Sequence, residues 1–92
     1  MAVRVRIPAP LRAATAGQAE VQVEGGDLAT CLSQLESQFP AIRARLRDDA
    51  GGLRRFVNLY VNGEDVRFLQ GLETRLQPGD ELSIIPAVAG GA

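Results

Sequence analysis

Glu81-Leu82-Ser83-Ile84-Ile85, running into Pro86-Ala87-Val88-Ala89-Gly90-Gly91-Ala92, is the stretch on which the fold turns. Its first five residues read as a strand, with isoleucines at its end. Gln77-Pro78-Gly79-Asp80 leads into it as a tight turn, with Pro second and Gly third as a type II turn prefers. Pro86 is expected to end the strand. The residues from Pro86 onward carry no charged side chain, no alternation that would bury one face and no helix-forming run. A tail that is merely solvated usually carries Ser, Glu or Lys. Glycine has no Cβ, so a segment closing on Gly90-Gly91 is the narrowest backbone that can enter a tunnel. Fully extended, the seven residues from 86 to 92 reach about 23 Å.

The other end of the chain supplies a partner for that strand. Val3, Val5 and Ile7 alternate with Arg4 and Arg6, the period of a strand with one buried face. Pro8 and Pro10 end it, and a linker rich in Ala and Thr runs to Gly17. Val21 and Val23 lie between Glu20, Gln22 and Glu24, a second strand that would form an antiparallel hairpin with the first. Gly25-Gly26 breaks it. Asp27 stands where an N-cap belongs, and Leu28, Cys31, Leu32, Leu35 and Phe39 follow as one apolar stripe along a helix. Cys31 falls inside that stripe and reads as a small buried hydrophobe. Pro40 stops the helix at or before Phe39. Ala41 to Arg47 is a second short helical stretch with Ile42 and Leu46 on one side, and Asp48-Asp49-Ala50-Gly51-Gly52 reads as a surface loop.

Arg55-Phe56-Val57-Asn58-Leu59-Tyr60-Val61 carries the strongest strand signal, apolar on both faces as a central strand would be. Asn62-Gly63 is a type I′ turn signal, with Glu64 to Phe68 as a short charged return strand. Gln70-Gly71 marks another break, with Leu72 and Leu76 available to plug the core. The order is therefore β-β-α-β-β-β with a small helical turn after the main helix. The first and last strands are both apolar, and pairing them parallel at the centre buries both. This is the α+β, β-grasp arrangement of ubiquitin-like proteins: a mixed sheet of four to five strands with one main helix on one face. Residues 1–85 are expected to form the domain, and 86–92 an extended, flexible tail ending Gly-Gly-Ala.

Bulk composition narrows the chemistry. Ninety-two residues suit one domain that buries about 60–65% of its unfolded surface and has no spare core for an internal active site. The net charge is −1, with ten basic and eleven acidic residues in no long run, which argues against nucleic-acid or membrane-surface binding. No stretch is long and apolar enough to span a bilayer, and residues 1–6 do not resemble a signal peptide, so a cytoplasmic location is expected. There is no histidine, one cysteine and, among the ten basic residues, no lysine. The usual general base, the commonest metal ligand, a disulfide and a Schiff base are all excluded. No catalysis by its own side chains, no metal and no bound cofactor are expected.

The residues now carry a resemblance. Arg55-Phe56-Val57-Asn58, Tyr60-Val61-Asn62, Glu64-Asp65-Val66-Arg67-Phe68, Gly71-Leu72, Gly79-Asp80 and Pro86-Ala87-Val88-Ala89-Gly90-Gly91 make the chain similar to the ubiquitin-like sulfur carriers of the MoaD and ThiS family. Within that family the CysO type, which serves cysteine synthesis, is the nearest likeness. The resemblance implies a protein cosubstrate whose partners do the catalysis. An E1-like enzyme of the MoeB/ThiF type would use ATP to adenylate the Gly91 carboxylate, and a sulfur donor would convert the adenylate to a thiocarboxylate. A PLP-dependent cysteine synthase would accept the sulfur on an activated serine, and a JAMM-type zinc metalloprotease would free the product. Gly90, Ala89 and Val88 would thread into these active sites. One departure matters: Ala92 follows Gly91, so Gly91 has no free carboxyl until the Gly91–Ala92 bond is cut, and removal of Ala92 is expected. In this family the sheet face opposite the helix docks on the E1-like enzyme, which makes an exposed aromatic there, among Phe56, Tyr60 and Phe68, an interface candidate.

Other features have plainer readings. Arg54-Arg55 reads as a solvated charge pair, and Arg4, Arg6 and Arg67 with Glu64 and Asp65 as exposed strand faces. Sulfur delivery to molybdopterin or thiazole synthesis, or a non-carrier ubiquitin-like binding or conjugating module, are the alternative functions. The terminal glycines report the activation step and not the acceptor.

Overall fold

A computed structural model describes residues 2–54 and 57–86. Five strands make one mixed sheet: β1 (Ala2–Arg6), β2 (Glu20–Glu24), β3 (Val57–Val61), β4 (Glu64–Asp65) and β5 (Glu81–Pro86), in the order β2-β1-β5-β3-β4. β1 and β5 pair parallel, with Val5 opposite Leu82, and the other neighbours pair antiparallel. This is the expected β-grasp. β5 and β1 pair at the centre as expected, and β3 is an inner strand between β5 and β4, but the expectation of two apolar faces on β3 fails. β3 is apolar on one face only, with Val57, Leu59 and Val61 buried and Asn58 and Tyr60 half-buried.

Helix α1 (Leu28–Gln38) covers one face. The Asp27 carboxylate accepts from the Thr30 amide at 2.8 Å, the expected N-cap. Leu28, Cys31, Leu32 and Leu35 are fully buried against Val3, Val5, Val21, Val23, Leu82 and Ile84, each leucine contributing about 1.5–3 kcal/mol of apolar transfer energy. Phe39 ends α1 and, half-buried, begins α2 (Pro40–Leu46), where Pro40 takes the first-turn position that needs no amide donor. Ile42 and Leu46 are buried as expected. Arg47, at the end of α2, reaches back to Glu36 of α1 at 2.7 Å and to the Gly51 carbonyl at 3.0 Å.

Several local features differ from their sequence reading. The Ala- and Thr-rich linker after β1 forms a 3-10 helix, Ala9–Thr15, which buries Leu11 and Thr15. The buried Thr15 hydroxyl is satisfied by the carbonyls of Arg12 and Gln18. The expected return strand Glu64 to Phe68 pairs for two residues only; Asp65 then accepts from the Arg67 amide and guanidinium, and Val66–Phe68 turns into a 3-10 helix. β5 takes in Pro86, opposite Val57, where the strand was expected to stop before it. Arg54 is half-buried and bonded to the Ala44 carbonyl at 3.0 Å, so it secures α2 and is not a free surface charge. Arg55 and Phe56 lie outside the described residues.

Candidate functional site

β5, the strand that precedes residues 87–92 in the chain, is central and paired on both sides. Leu82 and Ile84 point to the helix and are buried; Glu81, Ser83 and Ile85 point to the open face. β5 is thus fixed by two ladders and by the core beneath it. The turn before β5 is the expected type II: Gly79 has φ +88°, and the Asp80 amide donates to the Gln77 carbonyl at 3.0 Å. Across from it, Asn62 (φ +51°) and Gly63 (φ +87°) form the left-handed pair of a type I′ hairpin. Val88, Ala89, Gly90, Gly91 and Ala92, the residues expected to thread, react and be processed, lie outside the described residues.

The open face of the sheet carries Arg4, Arg6, Glu20, Gln22, Asn58, Tyr60, Glu81, Ser83 and Ile85 in register. Charges cross it in loose pairs, Arg4 to Glu20 at 3.8 Å and Arg6 to Glu81 at 3.4 Å. Such exposed pairs contribute little to stability and leave the face wettable. Ile85 is the apolar residue on it, 46% exposed and one residue before the strand ends. Sequence reading missed Ile85 as a surface residue. The signal was available in the alternation: with Leu82 and Ile84 inward, Ile85 must face out. Of the aromatic candidates, Tyr60 is half-buried on this face, Phe68 is 80% exposed on the 3-10 helix after β4, and Phe56 lies outside the described residues.

Among the described residues, the shifted titratable groups have local structural causes. The Cys31 thiol is pushed up by burial, and further by the nearby Asp27 charge, which disfavours the nucleophilic thiolate. Asp65 is held below the ordinary aspartate range, first by the Arg67 side chain and then by its amide. Among the described residues, no group of three or more Asp, Glu and Cys side chains is placed to hold a metal ion, and no helix is long and apolar enough to cross a membrane. Every buried side-chain polar atom among them has a hydrogen-bond partner, so no orphaned group marks a missing ligand.

Comparison with known proteins agrees with this architecture. Residues 5–91 match the ThiS family. The chain is 50% identical to the sulfur carrier protein CysO of Mycobacterium tuberculosis over 99% of its own length and all of that protein's. A chain in the crystal structure of the Amycolatopsis orientalis BexX/CysO complex superposes with a TM-score of 0.87 at 46% identity, covering 97% of this chain and 99% of that one. The solution structure of small archaeal modifier protein 1 from Methanosarcina acetivorans gives a TM-score of 0.88 at 33% identity, covering 98% and 96%. The chain belongs to the ThiS family of ubiquitin-like, β-grasp proteins.

Proposed function

We propose that this chain is a CysO-type sulfur carrier, a protein cosubstrate that works through the main-chain carboxyl of Gly91. The observation that carries the reading is 50% identity to the sulfur carrier CysO along essentially the whole of both chains. The Gly90-Gly91 pair beyond a central, firmly held strand fits the same role. An E1-like enzyme of the MoeB/ThiF type joins the Gly91 carboxylate to AMP, releasing pyrophosphate from ATP. Sulfide sulfur then displaces AMP to leave the thiocarboxylate. The carboxyl becomes available only after the Gly91–Ala92 peptide bond is hydrolysed, the task of a JAMM-type zinc metalloprotease.

Adenylation turns a poor electrophile into a good one, and stabilisation of the developing charge falls to the partner enzymes. This chain's part is to present a slim backbone, Val88-Ala89-Gly90-Gly91, from a rigid base. The sulfur goes to a PLP-dependent cysteine synthase, where it replaces the leaving group of an activated serine. To test this, the thiocarboxylate form is incubated with such a synthase and O-phosphoserine. Cysteine attached through the Gly91 carboxyl supports the reading; transfer only to a molybdopterin or thiazole precursor overturns the assignment to cysteine.

A second reading has its own support in the likeness to small archaeal modifier protein 1. The activated Gly91 carboxyl would then form an amide with a lysine of another protein. The chain has no lysine of its own, so it cannot build chains on itself. Lysine-linked conjugates in the native host would favour this reading.

A further inference from the structure

The two edges of the sheet are built differently. β4 is blunted: it pairs for two residues, and the chain then turns into a 3-10 helix, a common protection against unwanted strand pairing. β2 has no such protection. It pairs with β1 along all five residues, Ala2 opposite Glu24 through Arg6 opposite Glu20. The Ile7 amide donates to the Ala19 carbonyl at 2.8 Å, which sets the parity of the ladder. Val21 and Val23 therefore bond to β1, and the amides and carbonyls of Glu20, Gln22 and Glu24 turn outward. Among the described residues, the Glu20 and Gln22 amides meet no acceptor, and the Gln22 carbonyl receives only the exposed Gln38 Nε2 at 3.4 Å.

We propose that the outer edge of β2 docks an extended segment of a partner protein with alternating basic and β-branched residues, which joins the sheet as a sixth strand. Charge selects this occupant. On the open face the acidic side chain beside an added strand is Glu20, held to Arg4 of β1 only in an exposed, loose pair at 3.8 Å. β1 shows what β2 accepts on its other side: Val3-Arg4-Val5-Arg6, with Arg6 opposite Glu20 and Arg4 opposite Gln22. A segment of the same pattern repeats those cross-strand pairs. A second copy of this chain does not fit, because two β2 edges paired antiparallel about Gln22 set Glu20 of each copy against Glu24 of the other. Beside this edge, Ala2, Gln22, Val23, Glu24, Gln34 and Gln38 line a shallow, largely polar groove between β2 and α1, which leaves room for the partner's side chains.

The test follows amide hydrogen exchange and ¹⁵N shifts in the full chain titrated with the peptide acetyl-Lys-Val-Arg-Val-Arg-Val-amide. The Glu20 and Gln22 amides slow about tenfold once peptide reaches about ten times its Kd, while Val21 and Val23, already bonded, do not change. The acidic peptide acetyl-Glu-Val-Glu-Val-Glu-Val-amide leaves Glu20 and Gln22 unchanged, and Glu20→Lys weakens the basic peptide severalfold without unfolding the chain. No slowing at millimolar basic peptide overturns the proposal, as does equal slowing with the acidic one. Slowing that grows with protein concentration alone assigns the edge to a second copy and overturns it too. None of these readouts involves Gly91, so the result stands apart from the carrier chemistry.

Discussion

Asn62 Nδ2 donates to Asp80 Oδ1 at 3.1 Å, tying the β3–β4 hairpin to the turn that starts the central strand. The same two side chains hold the surrounding backbone: Asn62 Oδ1 accepts from the Glu81 amide at 3.0 Å, and Asp80 Oδ2 from the Gln77 amide at 2.8 Å. Both belong to stretches that carry the family resemblance, and the structure gives them a structural reason, since they set the start of β5. Asp80→Ala is expected to cost about 1–2 kcal/mol. Asn62→Gly keeps the left-handed turn and loses only the side-chain bonds, whereas Asn62→Ala also strains φ. Urea unfolding should rank Asn62→Gly above Asn62→Ala in stability; the reverse order contradicts this account of the hairpin.

The Glu36–Arg47 pair joins the two helices at 2.7 Å with both side chains largely out of water. Removing one partner leaves a desolvated charge, so Glu36→Ala is expected to lose about 3 kcal/mol. Replacing both, Glu36→Leu with Arg47→Met, should recover most of that loss. Equal destabilisation by the single and double variants in chemical denaturation would show that the pair matters through shape alone.

Acid should unfold the protein through its capped aspartates. Asp27 lies below its ordinary value of 3.8, held there first by the Thr30 amide and then by its hydroxyl. Asp65 is lowered in the same sense by the Arg67 side chain first. A lowered folded-state value means the unfolded chain binds more protons as pH drops through 3.8, so stability present above that value is lost below it. The urea midpoint of the native chain should hold from neutral pH to about pH 5 and then decline. Asp65→Asn should start lower at neutral pH and decline less steeply; parallel declines would remove Asp65 from the explanation.

Cys31 has the opposite sign. Burial chiefly raises its thiol above the ordinary value of 9.0. The linked stability is full below that value and is lost as pH rises through the folded-state value. In the native state the thiol should react with a disulfide reagent at least about a hundredfold more slowly than in urea, because reaction awaits local opening. Equal rates would place Cys31 at the surface. Gly25 bears on the same spot: a Cβ there would meet the Cys31 amide and Sγ at 3.1 Å. Gly25→Ala is therefore expected to destabilise by about 1–3 kcal/mol.

Much of this fold is legible in the sequence because its signals are local. Val3-Arg4-Val5-Arg6 and Glu20-Val21-Gln22-Val23-Glu24 alternate cleanly, Asp27 caps as its position requires, and Asn62-Gly63 turns as that dipeptide prefers. What was hidden depends on contacts between distant residues. Val57 to Val61 reads as apolar on both faces, yet only Val57, Leu59 and Val61 are buried, because α1 covers one side of the sheet. The strand after Glu64 stops early because Asp65 captures the Arg67 amide and guanidinium. Arg54 looked like surface charge until the Ala44 carbonyl was brought to it by α2. At the site, the Gly-Gly pair was readable from the outset, since backbone width is a property of the residues themselves. The outward position of Ile85 was readable from the alternation with Leu82 and Ile84, whereas the outward-turned groups of β2 emerge only from register and hydrogen-bond parity.

The central claim is that the Gly91 carboxyl is the reactive group, and intact-mass spectrometry tests it most directly. The chain trimmed after Gly91 and the chain retaining Ala92 are each incubated with an E1-like enzyme, ATP and sulfide. The trimmed chain is expected to gain the mass difference of one sulfur for one oxygen, and the chain retaining Ala92 to stay unchanged. Failure of the trimmed chain to form either adenylate or thiocarboxylate with its cognate enzyme, or conversion of the chain that keeps Ala92, would contradict the account.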